Sequence, residues 1–235
     1  MMTAGEVLIR LRALANPAVA ASMARFALPV DRALGVATPQ LRRLAREIGR
    51  NHGLALELWA TEIAEARLLA PMIAEPMRVS VGQMEQWARD FDSWAICDNC
   101  CFELFDKTPF AWRKALEWTR RRGEFQKRAG FALMAALARH TRGASDSEFT
   151  SFLEAIERES RDRRNFVKKA VNWALREIGK RNQGLNHAAI EQARKIHAKR
   201  LPHARWIASD ALHELQSSAV QARLSRKAER ARVVA

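Results

Sequence analysis

Trp94 and Asp98 form the residue pair whose types and spacing are best suited to chemistry on a cation. They stand four positions apart in the segment DFDSWAICDNCCFELF, residues 90–105, so a helix would project them from one face as neighbours. A carboxylate among the apolar residues of this segment is costly unless a partner or a ligand uses its charge. An indole beside a carboxylate therefore predicts a platform for a positively charged group.

Three cysteines, Cys97, Cys100 and Cys101, lie in the same segment, and the chain has no others. Zinc would need two more ligands than their C-x-x-C spacing supplies. A redox C-x-x-C normally opens a helix after a strand, and no strand pattern precedes this one. We interpret the cysteines as packing residues in a helix–helix seam, and expect neither a disulfide framework nor a metal cofactor.

Arg128 is the second candidate, on a very apolar helix predicted over Glu124–His140. An arginine in this setting favours pairing with an acid of a neighbouring helix, and Asp98 is a candidate partner. A plain structural salt bridge is the alternative interpretation.

The helix predicted over Asn165–Arg181 carries Lys169, Trp173 and Arg176 at positions i, i+4 and i+7. One face then offers a cation, an aromatic ring and a second cation. This pattern is typical of contact with a nucleic-acid backbone beside an apposed nucleotide. The alternative is that Trp173 belongs to the core.

Charge is the most pronounced bulk property, with 40 lysines and arginines against 26 acids and a net charge of +14. Residues 82–106 contain six acids and one arginine, whereas residues 107–181 contain 19 basic and nine acidic residues. An acidic stretch beside a basic one predicts a polyanionic partner that binds the basic residues around a local negative site. General arginine enrichment from a GC-rich genome is the alternative explanation.

Helical periodicity dominates the 235 residues, and β-branched alternation is scarce. Helices of about 10 to 20 residues, at about 35 to 45 residues per helix pair, are typical of stacked helix pairs. We predict an all-α fold, an α-solenoid of HEAT-like antiparallel helix pairs with a concave basic face. Residues 1–224 form a single domain in this prediction, and residues 225–235 form a basic tail that frays.

Several other classes of protein are disfavoured. No P-loop, G-x-G-x-x-G or nucleophile-elbow motif occurs, and the six histidines are scattered. No apolar run is long enough to span a membrane, and the N-terminus lacks a signal-peptide core. Together with the cysteine pattern, these features predict a cytoplasmic protein without a membrane span.

Four motifs resemble the AlkD-type DNA alkylation repair glycosylases, an all-helical family built of HEAT-like repeats. They are the W-x-x-x-D of Trp94 and Asp98, a Q-[KR]-R-A-like stretch at residues 126–129, K-A-x-x-W-x-L-R-E at residues 169–177, and a G-[VI]-x-T-P-like helix start at residues 35–39. In that helix start, Thr38 is the predicted N-cap.

The resemblance implies a DNA glycosylase of base excision repair that hydrolyses the N-glycosidic bond of cationic N3- or N7-alkylated purines in duplex DNA. Asp98 would stabilise the oxocarbenium-like transition state. The implied catalytic residues are Asp98, Trp94, Trp173 and Arg128. The expected DNA contacts are Thr38, Lys127, Lys168, Lys169 and Arg176. We expect a monomer that associates with the nucleoid when DNA is bound.

Two departures from the family pattern leave alternatives open. The family motif often reads W-D-x-x-D, whereas Ala95 stands at its second position here, so the preferred adduct stays open. A second W-x-x-x-D, Trp206 to Asp210, shows that this spacing alone is unspecific. The alternative functions are a non-catalytic HEAT-like module that binds damaged or structured nucleic acid, and a protein-binding α-solenoid scaffold.

Overall fold

The computed structural model describes residues 2–23 and 31–234, and these residues form helices and connections without a strand. Fourteen α-helices occur among the described residues, so the predicted all-α fold class is confirmed. They are α1 (Ala4–Ala13), α2 (Pro17–Met23), α3 (Thr38–Ile48), α4 (His52–Ala60), α5 (Ala64–Ile73), α6 (Val81–Arg89), α7 (Trp94–Glu103), α8 (Ala111–Trp118), α9 (Glu124–His140), α10 (Thr150–Glu159), α11 (Asn165–Gly179), α12 (Gln183–Ala198), α13 (Pro202–Leu215) and α14 (Ser218–Val234). Short 3-10 helices also occur at Pro76–Arg78, Phe105–Lys107 and Asp146–Phe149.

The chain divides into two compact units, residues 1–110 and residues 111–235. The first unit contains α1–α7 and therefore Trp94 and Asp98. The second contains α8–α14 and therefore Arg128 and Trp173. The single domain over residues 1–224 stays a prediction.

The second unit consists of stacked helix pairs. Helices α9, α11 and α13 contact one another in order, and so do α8, α10 and α12. Each of these two layers also contacts the other through the pairs α8–α9, α10–α11 and α12–α13. This is the packing expected of an α-solenoid, in which each pair buries its apolar face against the next. It confirms the repeat architecture predicted from helix spacing.

Gly130 allows the close approach of α8 and α9. A Cβ atom at this position would lie 2.7 Å from the backbone nitrogen of Thr119 and 2.9 Å from the carbonyl oxygen of Ala115. Both contacts are with backbone, so no flexible side chain could move aside. The middle of α9 is buried from Arg128 to Ala138 because α8 and α11 cover it on different sides.

In the first unit, α5 contacts α3, α4 and α7. The rings of Trp59 and Trp87 stack with their centroids 4.0 Å apart and an interplanar angle of 3°. The guanidinium of Arg67, which is buried, lies 5.3 Å from the Trp59 ring centroid. Aromatic stacking and the adjacent cation anchor the core of this unit.

The backbone before α3 is held by a buried carboxylate. Glu65 is fully buried, and its carboxylate accepts hydrogen bonds from the backbone nitrogens of Leu34, Gly35 and Val36. Gly35 has a φ of +78°, and a Cβ atom there would lie 2.2 Å from the carbonyl oxygen of Asn16. Only glycine fits both the left-handed conformation and this close approach.

Helix α14 packs onto the preceding helices. The side-chain amide of Gln221 donates to the carbonyl oxygen of Leu215 at 2.7 Å. The ammonium of Lys227 donates to the carbonyl oxygens of Lys180 and Arg181 at 3.1 and 3.2 Å. Residues 225–234, which we predicted as a fraying tail, belong to α14, and Lys227 contacts the residues that follow α11.

Candidate functional site

Trp94 and Asp98 lie on the partly exposed side of α7, one turn apart. The hydroxyl of Ser93 caps the helix by accepting a hydrogen bond from the backbone nitrogen of Ile96. This cap fixes Trp94 as the first helical residue. Both side chains are partly exposed.

The opposite side of α7 packs on α5 and contains the cysteines. Cys97, Cys100 and Cys101 have no exposed surface. Burial raises the pKa of the Cys100 and Cys101 thiols well above their ordinary range. Buried thiols with raised pKa values are poor nucleophiles and poor metal ligands, so these residues act in packing.

Most carboxylates of the acidic stretch, residues 82–106, have partners within the first unit. Asp90 accepts a hydrogen bond from the indole of Trp59 at 2.9 Å. Further contacts are Glu103 with Arg42 at 2.8 Å, Asp106 with Lys107 at 3.0 Å, and Asp92 with Arg67 at 3.9 Å. These four carboxylates stabilise the unit through their contacts.

In the second unit, Arg128 joins α9 to the start of α11. Its guanidinium is buried, and Nη1 donates a hydrogen bond to the carbonyl oxygen of Phe166 at 2.7 Å. The first turn of α11 contains Lys168 and Lys169, and Trp173 follows one turn after Lys169. Arg128 and these three residues therefore lie on two helices that contact each other directly.

Lys127, predicted to contact DNA, lies within a cluster of carboxylates. Its ammonium is 2.6 Å from Glu159 and 3.3 Å from Asp162, and the side chain is only 13% exposed. Burial opposes ionisation of Asp162, but hydrogen bonds from Arg164 and the charges of Arg164 and Lys127 outweigh it and lower its pKa to about 2. Lys127 therefore stabilises the connection between α10 and α11.

Lys168 and Lys169 differ in their surroundings. The ammonium of Lys168 lies 4.7 Å from the ring centroid of Trp206 on α13, a cation–π contact that the sequence did not suggest. Lys169 is exposed and makes no salt bridge among the described residues. Trp173 is partly exposed, although the adjacent residues of α11, Asn172 and Ala174, are buried.

Arg176 is paired with acids of α13. Its guanidinium contacts Glu214 closely, and Nε lies 3.6 Å from Asp210. Lys180 also contacts Glu214, at 2.8 Å. Burial acts to raise the pKa of Glu214, but hydrogen bonds from Lys180 and Arg176 lower it overall. The charge of Arg176 is thus largely compensated within the unit, whereas that of Lys169 is not.

Thr38 is the first residue of α3 and is exposed, but the predicted N-cap role is wrong. Ala37 has the extended backbone of the N-cap, and no side-chain hydroxyl caps the helix. The side chain of Gln40 instead accepts a hydrogen bond from the backbone nitrogen of Ala37 at 3.1 Å. Pro39 fits the first turn whether Ala37 or Thr38 is the N-cap, so the sequence pattern did not distinguish these two residues.

The profile that defines the DNA alkylation repair enzyme family matches residues 7–215, which is most of the chain. The chain belongs to this family. The match runs from within α1 to the end of α13 and therefore includes every residue of the candidate site.

A solved structure described as "a new family of proteins related to the HEAT-like repeat DNA glycosylases with affinity for branched DNA structures" has the same fold as this family member. The TM-score is 0.75, the sequences are 23% identical, and the similarity covers 83% of each chain. It establishes the HEAT-like repeat fold. No curated protein matches the chain.

None of the helices among the described residues is long and apolar enough to cross a membrane. Among the same residues, no three histidine, cysteine, aspartate or glutamate side chains are grouped closely enough to hold a metal ion.

Sequence reasoning missed the partners on α13. Trp206, Asp210 and Glu214 contact Lys168 and Arg176 from about 35 positions further along the chain. The second W-x-x-x-D motif marked two of these residues, but nothing local to it shows which helix they face.

Proposed function

We propose that this family member is a DNA glycosylase that releases cationic, N3- or N7-alkylated purines from duplex DNA. The observation that carries the proposal is the partly exposed Trp94–Asp98 pair on a helix whose other side is packed. An accessible carboxylate beside an indole suits a transition state that is positively charged.

Release of an alkylated purine requires little from the protein beyond a negative charge at a fixed position. Alkylation at N3 or N7 makes the purine cationic and a good leaving group, so protonation of the base is not needed. Breaking the glycosidic bond builds oxocarbenium character on the deoxyribose. A fixed carboxylate near the sugar lowers this barrier by on the order of several kcal/mol in a site of low dielectric constant. Asp98 takes this role, and it also orients the attacking water.

The remaining residues bind and position the DNA. Trp94 and Trp173 contribute cation–π attraction of on the order of 1 kcal/mol each toward the charged lesion and its sugar. Arg128, one of whose nitrogens is fixed on the Phe166 carbonyl, positions a backbone phosphate. Lys168 and Lys169 bind backbone phosphates, because their charges are not compensated by carboxylates in the way that those of Lys127 and Arg176 are.

The test is base release from a duplex that carries a single 7-methylguanine, with enzyme in excess over DNA. We expect D98N to slow the single-turnover rate by about 100-fold or more. The matched control is D210N, because Asp210 has the same spacing from Trp206 on a helix of the other unit. D210N should be close to wild type. Release by D98N at the wild-type rate would show that Asp98 is not the catalytic group.

A second candidate function is non-catalytic binding of branched DNA. It is favoured by the affinity for branched structures stated for the structurally similar protein. The two functions make opposite predictions for the same preparation. Tight binding of a three-way junction by a wild-type protein that releases no alkylated base would favour this candidate over the glycosylase.

A further inference from the structure

Two loops of the second unit are rich in arginine. Residues 119–123 connect α8 to α9, and residues 160–164 connect α10 to α11. They contain six arginines and one acid, Asp162. Four of the arginines are exposed, and we call them the arginine surface: Arg120, Arg122, Arg161 and Arg163.

Hydrogen bonds hold the two loops together. Arg164 donates from Nη1 to the carbonyl oxygen of Arg122 at 2.7 Å, and from Nη2 to Asp162 at 2.6 Å. Beside them, Arg158 donates to the hydroxyl of Thr119 at 3.0 Å. These two arginines therefore act as internal cross-links, and the backbone that presents the arginine surface is fixed before any ligand binds.

The charge of the arginine surface is not compensated within the unit. The one acid of the two loops, Asp162, is paired with Arg164 and Lys127. None of the four exposed guanidinium groups has a carboxylate within 4 Å among the described residues. Like charges on adjacent loops repel each other, so this arrangement is unfavourable unless a polyanion binds it.

The two loops lie next to residues that we propose as DNA contacts. They immediately precede α9 and α11, the helices that carry Arg128, Lys168 and Lys169. Lys169 lies four residues into α11, which is about 6 Å along the helix axis. The positive ends of the two helix dipoles face the same loops. A nucleic-acid backbone contacting Lys169 would therefore have phosphates within reach of the arginine surface.

We infer that the arginine surface binds backbone phosphates of the duplex DNA that contacts Lys169. For its partner, the inference rests on the proposed function. The arginine surface lies outside the residues assigned to catalysis. Replacing these arginines should therefore change the affinity for DNA without changing the rate of base release.

The experiment measures binding of an undamaged 25-base-pair duplex by fluorescence anisotropy over a range of salt concentrations. We compare wild type with R120Q/R122Q and R161Q/R163Q. Each double variant should reduce the slope of log affinity against log salt by about 2, since each phosphate contact contributes about 0.9. Affinity at 0.1 M salt should fall by roughly tenfold or more.

The matched control is R139Q/R142Q. These two arginines are also exposed in the second unit, but they lie at the C-terminal end of α9. The control should keep the wild-type slope. A wild-type slope in both loop variants, or an equal loss in the control, would overturn the inference. The single-turnover rate of base release at saturating enzyme should be unchanged, and a slower chemical step would likewise contradict it.

This design separates the inference from the proposed function. The slopes are measured on undamaged DNA, so they are informative even if wild type releases no base. A flat slope for wild type would mean that duplex DNA is not the partner, and it would favour a protein-binding scaffold.

Discussion

Replacing Asp162 by asparagine should destabilise the second unit by about 2 kcal/mol at neutral pH. The pKa of this carboxyl is about 2, against an ordinary value of 3.8. The difference corresponds to about 2.4 kcal/mol, at about 1.36 kcal/mol for each pH unit. The Asp162 side chain is only 10% exposed, so solvent screening reduces this value little. We therefore expect a loss of about 2 kcal/mol.

The dependence on pH follows from the direction of the change. The pKa of Asp162 is lower in the folded chain, so the unfolded chain binds more protons between pH 4 and pH 2. The stabilisation is therefore complete above the unfolded pKa and is lost as the pH falls through the folded value. Asparagine does not titrate, so wild type and D162N should converge in stability near pH 2.

The assay is urea unfolding followed by circular dichroism at pH 7, 5 and 3. The control is E191Q, because Glu191 is 62% exposed and forms only a surface ion pair with Arg194. Exposed pairs of this kind contribute about 0 to 1 kcal/mol, so E191Q should change little. A D162N variant within about 0.5 kcal/mol of wild type at pH 7 would refute the reasoning.

Two further predictions concern packing. G130A should destabilise the chain by about 1 to 3 kcal/mol because its Cβ would collide with the backbone of α8. The control is G5A, in the open first turn of α1, which should be neutral or stabilising by up to about 1 kcal/mol. Equal unfolding midpoints for the two variants in urea would contradict the close approach of α8 and α9. Iodoacetamide should modify Cys97, Cys100 and Cys101 only as fast as the first unit opens, because the thiols are buried. Mass spectrometry of the native protein over time measures this rate, and immediate alkylation would show that α7 is not packed as described.

The helices could be predicted closely because their signals are local. Helix α9 has the predicted bounds, Glu124–His140, since Gly123 precedes it and its apolar positions are continuous. Helix α11 ends at Gly179, two residues before the predicted end. The segment before α10 forms a 3-10 helix, Asp146–Phe149, and residue patterns over one turn do not distinguish such a helix from the first turn of an α-helix.

The pairing of charges could not be predicted from the sequence. The pattern of Lys169, Trp173 and Arg176 correctly indicated one helix face, but Arg176 is paired with acids nearly 40 residues further on. In the same way, the sequence indicates Lys127 as a DNA contact, but it does not show that Glu159 and Asp162 lie beside the ammonium. Which cations are available to a polyanion depends on contacts between helices, and these are set by tertiary packing.

The contact between α14 and the end of α11 determines where the chain can be shortened or fused. A truncation at residue 224 would remove Lys227, which donates to the carbonyl oxygens of Lys180 and Arg181. Those carbonyls belong to the two residues that directly follow α11, the helix that carries Trp173. Recombinant versions should therefore retain residues 225–234, and an N-terminal affinity tag avoids disturbing this end of the helix.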